Sequence, residues 1–253
     1  MQNSQKFAHD KTKSIKVWDV WIRLFHWILV LLIIISYLSA TRSDISFTLP
    51  GLNKFISAID IHIFSGTIIA FLIIFRVAWG FIGSSTSLFK DFIFKPTYIL
   101  QSLKENQKAS QHSALGHSPI GGVATLVLLI AIIVQVASGF FSEDDSFFAV
   151  QGPLSFLISD DFKHKITVFH ALWWQFVIVT LIILHIGANT FYLLVKKNNL
   201  IKPLITGYKN LPIDQPFQRP NFAPTWKAVV VFFISSFLIY FIFSLEVLIY
   251  YFQ

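Results

Sequence analysis

Hydrophobic and polar positions in this chain segregate by whole segments rather than alternating residue by residue. Five long apolar runs are separated by polar connections: roughly Trp18 to Ala40, Ile61 to Ile82, Ile120 to Phe141, Ile166 to Val195 and Trp226 to Tyr250. Each is close to the ~20 residues a helix needs to cross a bilayer core. Trp18, Trp21, Trp79 and Trp226 stand at run ends, where interfacial aromatics belong. The pattern predicts an all-α membrane protein. The connection from Gly83 to Pro119 contains the amphipathic stretch PTYILQSLKENQ, expected as a short interfacial helix. From Pro203 to Pro224 the chain reads as an extended Pro-rich linker. The expected layout is a tail over 1–17, a four-helix transmembrane unit over 18–210, a linker over 211–225 and an additional transmembrane helix over 226–253.

Composition narrows the chemistry. The chain of 253 residues is 55% hydrophobic and 13% charged, with 28 Phe, and its mean hydropathy is +0.65. There is no Cys, which removes disulfides, thiolate metal sites, iron–sulfur clusters and covalent c-type haem attachment. The only Met is Met1, so a Met axial ligand is excluded as well. If the chain holds a metal, imidazole is the ligand on offer. A net charge of +7 raises the question of nucleic acid. In a membrane protein basic loops report orientation instead, and no nucleic-acid partner is expected. Lys6, Lys11, Lys13 and Lys16 precede the first run; Lys90, Lys95, Lys104 and Lys108 follow the second; Lys196, Lys197, Lys202, Lys209 and Arg219 follow the fourth. The other side has Arg42, Lys54, Lys163 and Lys165, and also Glu143, Asp144, Asp145, Asp160 and Asp161. This asymmetry predicts a cytoplasmic N-terminus and an external C-terminus. The polar opening MQNSQKFAHDKTKSI has no apolar signal region, so the first helix is expected to remain in the mature protein.

Four of the eight histidines fall inside apolar runs: His26, His62, His170 and His185. Ionisable residues at membrane depth are costly, face bundle interiors and mark function; for any one of them the plain alternative is a helix–helix hydrogen bond. Depth makes the set informative. His62 and His170 lie shallow on the outer side, and His26 lies towards the cytoplasmic side. His185 follows His170 by fifteen residues, about 22 Å deeper along an α-helix and about 60° around it. The four sort into an outer pair, His62 with His170, and an inner pair, His26 with His185. Two imidazoles facing across a bundle, with no third donor at their depth, suit bis-histidine haem rather than zinc, which takes three or four ligands. Two such haems stacked across the membrane would form an electron wire. Ser36, Gly66, Gly139, Gly187 and Ala188 leave gaps for flat macrocycles, although small residues also serve ordinary helix packing. His164 competes with His170 but adjoins Lys163 and Lys165, and His170 is preferred; His9 and His112 receive no role.

Several motifs give these observations a family. RLFHW at 23–27, HIFSG at 62–66, RVAWGFIG at 76–83, GHSPIGG at 116–122, the His170/His185 pair and ITGYK at 205–209 resemble, in order and spacing, the bacterial cytochrome b561 superfamily, especially the b-type subunits of nickel–iron hydrogenases. The resemblance covers roughly residues 16 to 210. It implies a four-helix core with two haems b in the bacterial inner membrane. It implies electron exchange between the quinone pool and a redox partner at the periplasmic face. By motif position it carries over His26, His62, His170 and His185 as haem ligands. The chain departs from the hydrogenase branch at YLSATR, late in the first run, and in HALWWQF after His170.

Further residues take their candidate roles from that implication. Arg23 and Arg76 either snorkel at span ends or contact haem propionates or quinone. His117 either caps a solvated helix entry or supplies a proton to quinone, because histidine titrates near neutral pH. The acidic segment from Glu143 to Asp161 is either plain solvated surface or a steering patch for a basic partner. A periplasmic c-type cytochrome, a dehydrogenase or a hydrogenase subunit would fit there. The leading function is an electron-transfer cytochrome rather than an independent catalyst. A stand-alone quinol-dependent reductase of a small oxidant, and a non-haem metal or proton transporter, are the alternatives.

Overall fold

A computed structural model describes residues 12–42, 44, 46–49, 54–92, 116–143, 150–212 and 219–252. Lys6, Lys11, Lys95, Lys104, Lys108, His9, His112, Asp144, Asp145 and the stretch 96–107 lie outside the described residues. Among the described residues five helices are long and apolar enough to cross a membrane. They are α1 (Val20–Thr41), α2 (Ala58–Ile82), α3 (Pro119–Phe141), α4 (Asp160–Leu194) and α5 (Thr225–Phe252). Successive helices run in opposite directions. The face where α1 starts, α2 ends, α3 starts and α4 ends is the near face; the opposite one is the far face.

Local chemistry sets the helix starts. The Asp19 carboxylate accepts the Ile22 N–H at 2.8 Å and the Trp79 indole N–H at 3.1 Å. One buried acid therefore caps α1 and ties its first turn to the last turn of α2. Ser57 and Asp60 form a capping box at α2, and Ser118 caps α3 with Pro119 in its first turn. Thr67 and Thr125 within the spans, and Ser142 at the end of α3, donate to the carbonyl four residues earlier, so their hydroxyls are satisfied without water.

The core has two parts. Leu29 and Leu32 of α1, Ile69, Leu72 and Ile73 of α2, and Leu129 of α3 form one cluster. Ile22 of α1, with Phe75 and Trp79 of α2, packs against Ala228 and Val231 of α5 in the other. The fifth helix is separated in sequence from the first four, yet it shares a core with the near half of α2. Outward-facing Phe64, Phe81, Phe233 and Tyr240 are exposed, as lipid-facing residues are.

The near face carries structure that the sequence pattern did not predict. Strand β1 (Thr12–Lys16) pairs antiparallel with β4 (Tyr208–Pro212), from Thr12 opposite Pro212 to Lys16 opposite Tyr208. The segment expected as an extended linker from Pro203 is instead helical over Ile201–Thr206. The Asn199 carboxamide oxygen accepts the N–H groups of Ile201 and Lys202, and Pro203 sits in a first turn, where no N–H is needed. Gly207, at φ 88°, ends that turn, and its carbonyl accepts the N–H groups of Val17 and Trp18. On the far face β2 (Ser46–Leu49) and β3 (Lys54–Ser57) form a two-stranded hairpin between α1 and α2.

Helix α4 is not uniform. It begins at Asp160, six residues before the apolar run, and residues Trp173–Ile178 form a π-turn in which the Val179 N–H reaches the Trp174 carbonyl, five residues back. The 60° offset expected between His170 and His185 assumed an unbroken α-helix and does not hold.

Candidate functional site

Helices α1, α2 and α4 bring the four intramembrane histidines together two by two. His62 of α2 and His170 of α4 have ring centres 6.2 Å apart with planes at 88°. His26 of α1 and His185 of α4 have ring centres 6.3 Å apart with planes at 44°. The first pair lies towards the far face and the second towards the near face. His164 stands six residues before His170, in the opening turns of α4.

Hydrogen bonds fix the tautomers of the far pair. His62 Nδ1 faces the Ser36 carbonyl at 2.9 Å, with the Ser36 hydroxyl at 3.1 Å. A ring nitrogen opposite a carbonyl must carry the proton, which leaves Nε2 its lone pair. The Ser138 hydroxyl donates to the Gln135 carbonyl at 2.9 Å, so it accepts from His170 Nδ1, also at 2.9 Å. The Gln135 amide N–H groups face His170 Nε2 at 3.0 Å and the His170 carbonyl at 3.3 Å, so His170 Nε2 is the acceptor nitrogen. Gly139 allows α3 to approach this ring, since a Cβ there would stand 3.1 Å from His170 Cε1.

The near pair is held more loosely. His26 Nδ1 is buried without a hydrogen-bond partner. His185 is exposed, and Asn189 Nδ2 reaches its Nε2 at only 3.4 Å. Trp27 meets His26 edge to face at 5.1 Å. One turn nearer the face, Arg23 donates through Nη1 to the Ile205 carbonyl at 2.6 Å, while its Nε is buried without a partner. The Trp27 indole N–H donates to the Leu204 carbonyl at 3.3 Å. Arg23 and Trp27 thereby fasten the helical turn at 201–206 onto α1.

Arg76 does not snorkel. It is buried at 4% exposure in the near half of α2, with its guanidinium 5.1 Å from the Phe89 ring centre. His117 is not a solvated helix entry either: it is half-buried and meets Trp18 edge to face at 4.9 Å. Burial, and then the Arg76 charge, push His117 down to about 4, so it is neutral at physiological pH and does not titrate there.

Sequence reasoning passed over Gln135, Ser138 and Asn189. Gln135 was visible by the rule that selected the histidines, since it is a lone amide within the apolar run of α3. Asp19 was passed over as well; its double role needs Trp79, sixty residues away.

The family model of prokaryotic cytochrome b561 matches residues 17–207. The chain belongs to the prokaryotic cytochrome b561 family. It is a transmembrane b-type cytochrome of electron transfer, a haem-binding, multi-pass protein of bacterial membranes. Neither the curated proteins nor the solved structures yield a match.

The residues of this cytochrome fit haem. A metal–imidazole bond is about 2.0–2.1 Å, so a metal between two imidazoles sets their ring centres about 6.3 Å apart; the observed separations are 6.2 and 6.3 Å. Among the described residues no group of three or more His, Cys, Asp or Glu is arranged to hold a metal ion, so the histidines gather only in twos. A Cβ at Gly66, one turn from His62 and on its face of α2, would have nothing within 4 Å, which leaves open space beside that histidine.

Proposed function

We propose that this cytochrome binds two haems b and carries electrons between the membrane quinone pool and a redox partner at the periplasmic face. The observation that carries this reading is a single helix supplying one histidine to each of two pairs, both at the separation a bridging metal demands. His62 and His170 would hold the far haem, and His26 and His185 the near haem. The near face is cytoplasmic, following the lysines of the N-terminal and second-to-third segments, and the C-terminus is periplasmic. Residues 18–210 form the electron-transfer unit, and the helix over 226–253 is an addition that buttresses α2.

One-electron cycling of iron is the chemistry haem supplies when bound. The protein's own residues do the rest. Ser36 and Ser138 hold the Nδ1 protons of His62 and His170, which presents Nε2 to iron and raises ligand basicity. Iron held by His170 Nε2 would require Gln135 to give up its 3.0 Å hydrogen bond to that nitrogen. Arg23, with its buried Nε, places positive charge one turn from His26, where a propionate would be neutralised. Arg76 and the neutral His117, close together at the near ends of α2 and α3, offer donors to a quinone oxygen.

Two measurements on the purified protein test this. A pyridine haemochrome assay should give two haems b per chain. Adding a quinol should reduce them, with little steady turnover until an electron-accepting protein is supplied. One haem or none per chain would overturn the reading, and sustained turnover with a small oxidant alone would favour a stand-alone reductase.

A further inference from the structure

The π-turn at Trp173–Ile178 lies between the two histidines of α4. Such turns are rare and take up one residue beyond the α-helical repeat. We infer that this turn is a register device that sets the direction of His185 relative to His170, so that one ring meets His26 while the other meets His62. The inference rests on the two-haem reading.

The geometry is simple. In an unbroken α-helix, fifteen residues overshoot four turns by about 60°. With one residue absorbed by the π-turn they act as fourteen, about 40° short of four turns and about 21 Å along the axis. The two registers differ by about 100° and about 1.5 Å. That swing decides whether the His185 ring meets His26 on α1 or turns to the flank of its own helix. The observed ring separation of 6.3 Å belongs to the bulged register.

Neighbouring helices pin the turn in place. The Trp173 indole N–H donates to the Ala131 carbonyl of α3 at 3.0 Å. Trp174 stacks on Tyr37 of α1, with ring centres 5.4 Å apart and planes at 28°. Ile178, at the lower end of the turn, is 2% exposed. Gln175 is exposed within the turn and makes none of these contacts. Two anchored tryptophans above and a buried isoleucine below therefore hold a segment whose extra residue is spent on register rather than on packing.

Deleting Gln175 tests this, with haem content and the oxidised spectrum as readouts rather than turnover. The deletion should convert the π-turn to α-helix and leave both histidines where they were, so the ratio stays at two haems per chain. The paired variant inserts one Ala after Gln175. It should swing His185 away, and the ratio should fall to one while the far-pair spectrum persists. Loss of either haem on deletion, or survival of both on insertion, would overturn the inference. A parent protein without two haems would instead refute the reading beneath it.

Discussion

The two histidine pairs are alike in ring separation and opposite in support. At the far pair both Nδ1 atoms have acceptors, Ser36 on one side and Ser138 on the other, and α3 closes over His170 at Gly139. At the near pair His26 Nδ1 has no partner and the His185 ring is exposed, with one long contact from Asn189. The difference has a structural source. The far half of α4 packs against α3, whereas none of the helical residues Val179–Leu194 is buried. The far pair is therefore preorganised by protein, while the near pair has only the turn at 201–206, fastened one turn away by Arg23 and Trp27, for support.

The largest effect should come from removing one ligand of each pair. His170→Ala should abolish the far haem and leave the near one, and His185→Ala should do the reverse, both read from haem-to-chain ratio and reduced spectra. Loss of the same component in both variants would erase the distinction between the pairs.

Next comes the outer-sphere support. Ser138→Ala leaves the His170 Nδ1 proton without its acceptor and should weaken far-haem retention by about 10–100-fold, the usual range for such partners. Ser36→Ala should do far less, because the acceptor at 2.9 Å is its backbone carbonyl. Asn189→Ala should barely change the near haem, since a 3.4 Å contact is a weak hydrogen bond. Competition with an apo-globin would rank the three, and a near haem as sensitive to Asn189 as the far one is to Ser138 would contradict the comparison.

His117 gives a pH-dependent effect. It is held at about 4 in the folded chain against an ordinary 6.5, so the unfolded chain takes up its proton first. Folded-state stability should fall as pH drops from about 6.5 towards 4, and no His117 titration should appear between pH 7 and 8. His117→Gln should flatten that acid limb in thermal unfolding; an unchanged limb would show that other groups set it.

The smallest effect concerns the far surface. Asp160 and Asp161 are exposed, but each is paired with a lysine, Lys163 at 2.8 Å and Lys165 at 2.6 Å. Lys163 is buried and Lys165 exposed, and each lysine cancels much of its acid's field; the exposed Asp161–Lys165 pair contributes little to stability. Asp160→Asn with Asp161→Asn should slow encounter with a basic partner only modestly, and only at low salt. Stopped-flow rates across salt concentrations would detect it.

Much of this architecture was legible in the amino-acid pattern, for identifiable reasons. Lipid demands long apolar runs, so five helices announce themselves, and imidazoles within such runs stand out because burying them is costly. The two small sheets were not legible: TKSIK and YKNLP have no alternating apolar face, and they pair only because Gly207 turns the chain back beside Val17. The π-turn was hidden too, because its cause is tertiary. Trp173 and Trp174 are anchored on α3 and α1, and nothing in HALWWQF by itself dictates a bond five residues long. Arg76 and His117 read as span-end residues; their burial depends on Phe89 and Trp18 folding over them.

The most direct test of the two-site account is electron paramagnetic resonance of the oxidised protein. Two bis-histidine irons in unlike surroundings should give two low-spin ferric signals of equal integrated intensity, and His170→Ala should remove one of them entirely. A single low-spin signal in the parent protein, or a high-spin signal carrying half the iron, would mean that one pair does not ligate and would contradict the account.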